Sequence, residues 1–169
     1  MKNNIIIFTT LLISFVSCIS CTNPKHSQKQ KKGASLLKEE LGNSGFSISI
    51  PDVYIIEKFE GSDFDNYYFY PKDTLDSISF SGGIYFGFNP SLFSFDSEVK
   101  KELEAKSIIL GKEVRWTVYK LENEYFMQAI TEHTTKDGWE LKIHAFGLAS
   151  NEIRLEEGFH FFETLVYEE

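Results

Sequence analysis

A chain of 169 residues, 42% of them hydrophobic and 15% aromatic, can bury enough apolar surface to offset the entropy of ordering, which excludes a disordered protein. Its formal charge of −8 is unevenly spread: Lys2, Lys25, Lys29, Lys31 and Lys32 precede the first acid, Glu39, so from Gly33 onward 12 Lys and Arg face 25 Asp and Glu, a net −13. So acidic a domain repels phosphate backbones, which excludes nucleic acid as a partner.

Residues 1–17 have the order of a secretory signal peptide: Lys2 as the positive start, an apolar run over 5–16, and small Ser17 before Cys18. The run falls short of the ~20 residues that a helix needs to cross a bilayer, and Thr9, Thr10 and Ser14 dilute it. Phe15-Val16-Ser17-Cys18 and Cys18-Ile19-Ser20-Cys21 each resemble the lipobox of bacterial lipoproteins, an apolar residue followed by two more, the second small, then Cys. The resemblance implies lipid attachment at Cys18, with Cys21 as the alternative, and a membrane partner through the lipid anchor. Phe is the better apolar match at the third place before the cysteine, which favours Cys18; an ordinary signal peptide stays open as the other reading. Stable anchoring takes more than one acyl chain, and acylation of both thiol and freed amine in that family would supply it. The expected address is the cell envelope, at the outer membrane, on its periplasmic or surface side.

No cysteine follows Cys21, so a disulfide or a thiolate metal site in the domain is excluded. The lipidated flexible tether is expected over 18–33, its stretch 22–33 (TNPKHSQKQKKG) polar, basic and without apolar periodicity. A single globular domain is expected over 34–169. An anionic lipid surface would attract the tether and repel the domain.

Within the domain, residues 34–41 predict a short helix with Leu36, Leu37 and Leu41 on one side, stopped by Gly42. Strand signals follow over 46–50, 53–59, 66–70, 77–81 and 84–88, with Pro71 and Asn89-Pro90 as stops and Gly82-Gly83 as a turn or bulge. Residues 96–110 predict a second helix, with Val99, Leu103 and Lys106/Ile109 on a stripe and Gly111 as its stop. Three strands come next, over 113–121, 125–135 and 139–146, the last two joined by a turn at Lys136-Asp137-Gly138. In the third, Trp139, Leu141, Ile143 and Ala145 alternate with Glu140, Lys142 and His144, which predicts one apolar and one wet face. A final helix over 151–166 carries Leu155, Phe159, Phe162 and Val166 on one stripe. This order predicts an α+β fold, an antiparallel β-sheet flanked by helices.

Phe46-Ser-Ile-Ser-Ile-Pro51, Leu110-Gly-Lys-Glu-Val-Arg-Trp116, Ile143-His-Ala-Phe146 and the closing Glu163-Thr-Leu165 together resemble the Mog1/PsbP-like superfamily. The resemblance covers residues from about 45 to the C-terminus. It implies an α/β/α sandwich and an accessory or binding module without catalysis, although a fold of this kind does not fix a function.

Chemistry-bearing motifs are sparse. His133 and His144 lie on strands joined by one turn, but position 133 pairs near 141, which leaves His144 about 10 Å further along; both are expected on the surface. His160 flanks the stripe of the last helix. No Gly-x-Ser-x-Gly, Gly-x-Gly-x-x-Gly or phosphate-loop motif occurs, so no cofactor is expected, and Asp63, Asp65, Asp73 and Asp76 are too irregular for a calcium loop. The aromatic excess is more informative. Tyr67-Tyr-Phe-Tyr70 puts rings on both faces of a strand, and Phe93 and Phe95 fall in a connecting segment, where rings form the lips of a binding surface or cap the core. The expected function is an envelope-anchored binding or accessory lipoprotein that meets a protein or ligand through Tyr68, Tyr70, Phe93 and Phe95. The alternatives are an immunity or inhibitor protein whose acidic face blocks a toxin or hydrolase, and a carboxylate hydrolase.

Overall fold

The computed structural model describes residues 35–168 apart from 43, 62–63, 74–79 and 96–100. Residues 1–34, with the expected signal peptide, Cys18, Cys21, the expected tether and its boundary with the domain, lie outside the described residues. The described residues belong to one compact unit, Gly33–Glu169.

Among them are ten strands and one helix: β1 Leu36–Glu40, β2 Phe46–Pro51, β3 Tyr54–Glu60, β4 Phe64–Pro71, β5 Phe80–Gly87, β6 Lys101–Ile109, β7 Lys112–Lys120, β8 Tyr125–Thr134, β9 Glu140–Ala149, α1 Glu152–Glu163 and β10 Val166–Tyr167. A seven-stranded sheet has the order β3-β4-β5-β9-β8-β7-β6, and a three-stranded sheet the order β1-β2-β10. All neighbours in both are antiparallel.

This architecture corrects the expected α+β fold and the α/β/α sandwich that the superfamily resemblance implied. Helix α1 and strand β2 both pack on one face of the large sheet. Phe162 and Phe159 lie against Trp116 of β7, at 5.2 and 5.4 Å, while Phe46 of β2 stacks on Phe86 of β5 at 4.6 Å. No described helix covers the opposite face.

Two of the three expected helices, over 34–41 and 96–110, are strands where the structure describes them, with 96–100 outside the described residues. In β6, Leu103, Ala105, Ser107 and Ile109 turn inward while Glu102, Glu104, Lys106 and Ile108 face out, a period of two that the 103/106/109 stripe had masked. Nine residue pairs with β7, closed by a two-residue turn, override the helical preference of Lys, Glu, Leu and Ala. That turn is Leu110-Gly111, with φ of 52° and 74°, so Gly111 joins a hairpin rather than ending a helix. Residues 36–40 likewise pair as an edge strand with β2 and leave Leu36 and Leu37 exposed; an eight-residue helix would scarcely nucleate alone. Gly82-Gly83 is not a turn or bulge between two strands either, because β5 runs straight through it from Phe80 to Gly87; residues 77–79 of the expected strand lie outside the described residues. The third helix does form. The Asn151 side chain caps α1 by accepting from the Arg154 amide at 3.1 Å, and Val166 belongs to β10 instead of the helix.

Candidate binding surface

The face of the seven-stranded sheet away from α1 is built by alternation. In β4, Tyr67 and Phe69 point into the core at 2% and 1% exposure, while Tyr68 points out at 36%. Opposite Tyr68 in the pairing register are Glu57 of β3 and Gly83 of β5. Phe146 of β9 pairs with Gly83 on one side and with Gln128 of β8 on the other. A Cβ on Gly83 would stand 2.6 Å from the Phe146 ring, so this glycine lets Phe146 lie flat toward Tyr68.

Rings on this face touch in series from β3 to β7. Phe59 meets Tyr68 at 5.5 Å, Tyr68 meets Phe146 at 5.9 Å, and Phe146 meets Phe93 at 5.2 Å. Phe93 meets Phe126 at 5.5 Å, Phe126 meets Phe95 at 4.8 Å, and Phe95 meets Tyr119 at 5.2 Å. Such edge and tilted pairs are favourable beyond the area that they bury.

Phe93 and Phe95 reach this belt because the segment after β5 crosses the sheet face. The Gln128 side chain holds it there: its carbonyl oxygen accepts from the Phe93 amide at 2.9 Å and its amide donates to the Phe93 carbonyl at 2.8 Å, as a neighbouring strand would. Gln128 is buried, so both of its polar atoms need these partners.

Beneath the segment lies His144, its ring 5.4 Å from Phe93 and 5.3 Å from Phe146. The sequence pattern put this histidine on a wet surface, yet only 3% of it is exposed, because Phe93 covers it. Burial lowers its pKa to about 4, so at neutral pH the imidazole is uncharged. Its Nε2 and that of His133 have no protein partner among the described residues. The two histidines do not form a pair. His133 is opposite Leu141 and packs against Phe46 and Tyr167 on the covered face, whereas His144 is opposite Ile130 on the other face. Burial also lowers the His133 pKa, and Lys112 adds to the effect. His160 is exposed on α1 and contacts Glu163 at 2.9 Å.

Between Tyr68 and Phe126 of the belt runs an open groove of about 490 Å³, walled by Tyr68, Tyr70, Phe95, Phe126, Phe146 and Leu148, with Ser81 and the Gly82 backbone in its floor. That volume falls in the range of small-molecule and peptide sites. Tyr70 bonds the Glu57 carboxylate, which pushes the phenol above its ordinary pKa and sets Glu57 beside a wall of the groove. The four aromatic residues singled out from sequence therefore stand on one face: Tyr68, Tyr70 and Phe95 line the groove and Phe93 roofs the adjoining rings. Sequence reasoning missed Phe126, Phe146 and Gln128. The single amide within Tyr125-Phe-Met-Gln-Ala-Ile130 was the available signal, since a buried Gln must be bonded to something.

A second concavity, of about 440 Å³, lies at one end of the sheet among Glu122, Glu124 and Glu152, and Tyr125 donates to Glu152 there at 2.7 Å. Its character is acidic rather than aromatic. Among the described residues no group of three or more His, Cys, Asp or Glu is placed to hold a metal ion, and no helix is long and apolar enough to cross a membrane. No family model and no curated protein matches the chain.

Proposed function

We propose that this chain is an envelope-anchored binding module, lipidated at Cys18 or Cys21, whose domain captures a protein partner on the aromatic face of its large sheet. The observation that supports it most is the unbroken series of rings over the sheet face that no described helix covers. Half-exposed rings on a rigid sheet keep apolar area in water, and they regain its burial free energy when a partner displaces that water. Their side chains are already held by ring contacts and by Gln128, so little rotamer freedom is lost on binding. The leader, with its lipobox-like cysteines, supports the anchoring half of the reading.

A photo-reactive phenylalanine analogue at position 68 of the full chain, expressed in the native cells, tests the binding half. Its crosslinked product is expected to be a discrete complex that Phe126→Ala removes, while the same analogue at Ile153, an exposed residue of α1, gives none. Equal products from both positions would contradict the reading.

A further inference from the structure

Among the described residues, the belt has no cation of its own. Among the described residues, the cation–ring contacts are Lys58 over Tyr67 at 5.7 Å and Lys120 over Tyr125 at 5.1 Å, and neither ring belongs to the belt. No described Lys or Arg lines the groove. Of the described cations on this sheet face, Lys106, Arg115 and Lys142 sit toward the β8–β9 turn, and Lys72, two residues beyond Tyr70 at the other end, donates to the Asp52 carbonyl at 2.7 Å. Glu113 engages Lys106 at 2.8 Å. Lys142 is four residues from Phe146 along β9, about 13 Å. Carboxylates stand at both ends instead, Glu57 opposite Tyr68 and Glu102 opposite Tyr119.

Ring faces carry negative potential, and a carboxylate beside them adds to it, so an ammonium or guanidinium placed over the belt gains from both. The net −13 of the domain steers a positively charged partner toward it from further away. The length of the belt indicates the kind of partner. From β3 to β7 there are five strand spacings, about 24 Å, which one small amine cannot span and an extended peptide of about seven residues does.

Resting on the binding reading above, we infer that the belt receives an extended basic segment of a protein partner, with Lys or Arg side chains laid over Tyr68, Phe146 and Phe126 and with Glu57 and Glu102 as their counter-ions. Apolar residues of the same segment fill the groove beside Leu148.

The test titrates the full chain with a short peptide alternating arginine and leucine, with the same peptide carrying citrulline, and with tetramethylammonium. Citrulline keeps the size and hydrogen bonds of arginine and removes its charge. The arginine peptide is expected to bind about tenfold more tightly than the citrulline one, a factor within reach of cation–ring contacts. Glu57→Gln is expected to weaken the arginine peptide alone, and Phe126→Ala, checked for folding by circular dichroism, to weaken both. Equal affinity for the two peptides, with both still weakened by Phe126→Ala, would overturn the preference for cations and leave the binding face standing. Tetramethylammonium binding as tightly as the arginine peptide would overturn the peptide partner. Failure of the arginine peptide to bind, or binding indifferent to Phe126→Ala, would overturn the inference altogether.

Discussion

Phe80→Ala is expected to destabilise the domain by about 4 kcal/mol, within the range for truncating a large ring in a packed core. Phe80 begins β5, is 1% exposed, and contacts Phe69, Phe161 and Phe162 at 6.0, 6.0 and 6.1 Å. It also occupies space left by two glycines. A Cβ on Gly158 of α1 would stand 2.5 Å from its ring, and one on Gly147 of β9 would overlap the same ring. The ring therefore sits where helix and sheet approach most closely, and its removal leaves a gap that neither glycine can fill. Urea unfolding of the wild type and variant would measure the difference. A loss under ~1 kcal/mol, the size of a surface effect, would mean that α1 does not dock in this way.

The second large effect is a loss of stability in acid that originates in His144. Its folded pKa is about 4, lowered because burial under Phe93 strips water from the charged form. In the unfolded chain it returns to about 6.5. Between these values the unfolded state binds more protons than the folded one, so stability falls as the pH drops from 6.5 to 4 and is fully present above 6.5. The total is about 3 kcal/mol for a shift of this size. The charged and titratable groups on the surrounding strands of the same face are Tyr85 opposite it on β5, Lys142 two residues along β9, and Glu132, which is opposite Lys142 on β8. Phe93, the residue above the imidazole, carries no titratable group. His144→Phe keeps an apolar ring in the site and removes the titration. Its stability is expected to fall by about 2 kcal/mol less than that of the wild type between pH 7 and pH 4.5. Identical losses in the two proteins would place the acid sensitivity elsewhere.

How far the sequence discloses this face depends on the reach of each pattern. The alternation of Tyr67-Tyr-Phe-Tyr70 is local to one strand, and β4 follows it. Phe93 and Phe95 were recognisable as rings in a connection, because aromatic side chains in such places need a surface to rest on. Phe126 and Phe146 were not. Both lie on the sheet face opposite the covered core, and their exposure depends on a segment more than thirty residues away that Gln128 ties down. His144 was misread for the same reason: alternation shows which side chains share a face, but it does not show what crosses above them. The failure at 101–109 is of another kind. Lys, Glu, Leu and Ala form helices readily, and only the nine-residue pairing with β7, a tertiary fact, draws them into a strand.

The central claim, that the aromatic sheet face is where a partner docks, is tested most directly by hydroxyl-radical footprinting of the full chain in its native membranes and after purification. Phe59, Tyr68 and Phe93, at 56%, 36% and 45% exposure, are open to solvent in the free protein, as are Trp139 at 64% and Ile153 at 73% away from the belt. In membranes, oxidation of the first three is expected to drop severalfold while that of Trp139 and Ile153 stays unchanged. Equal oxidation of Phe59, Tyr68 and Phe93 in both preparations would contradict the claim.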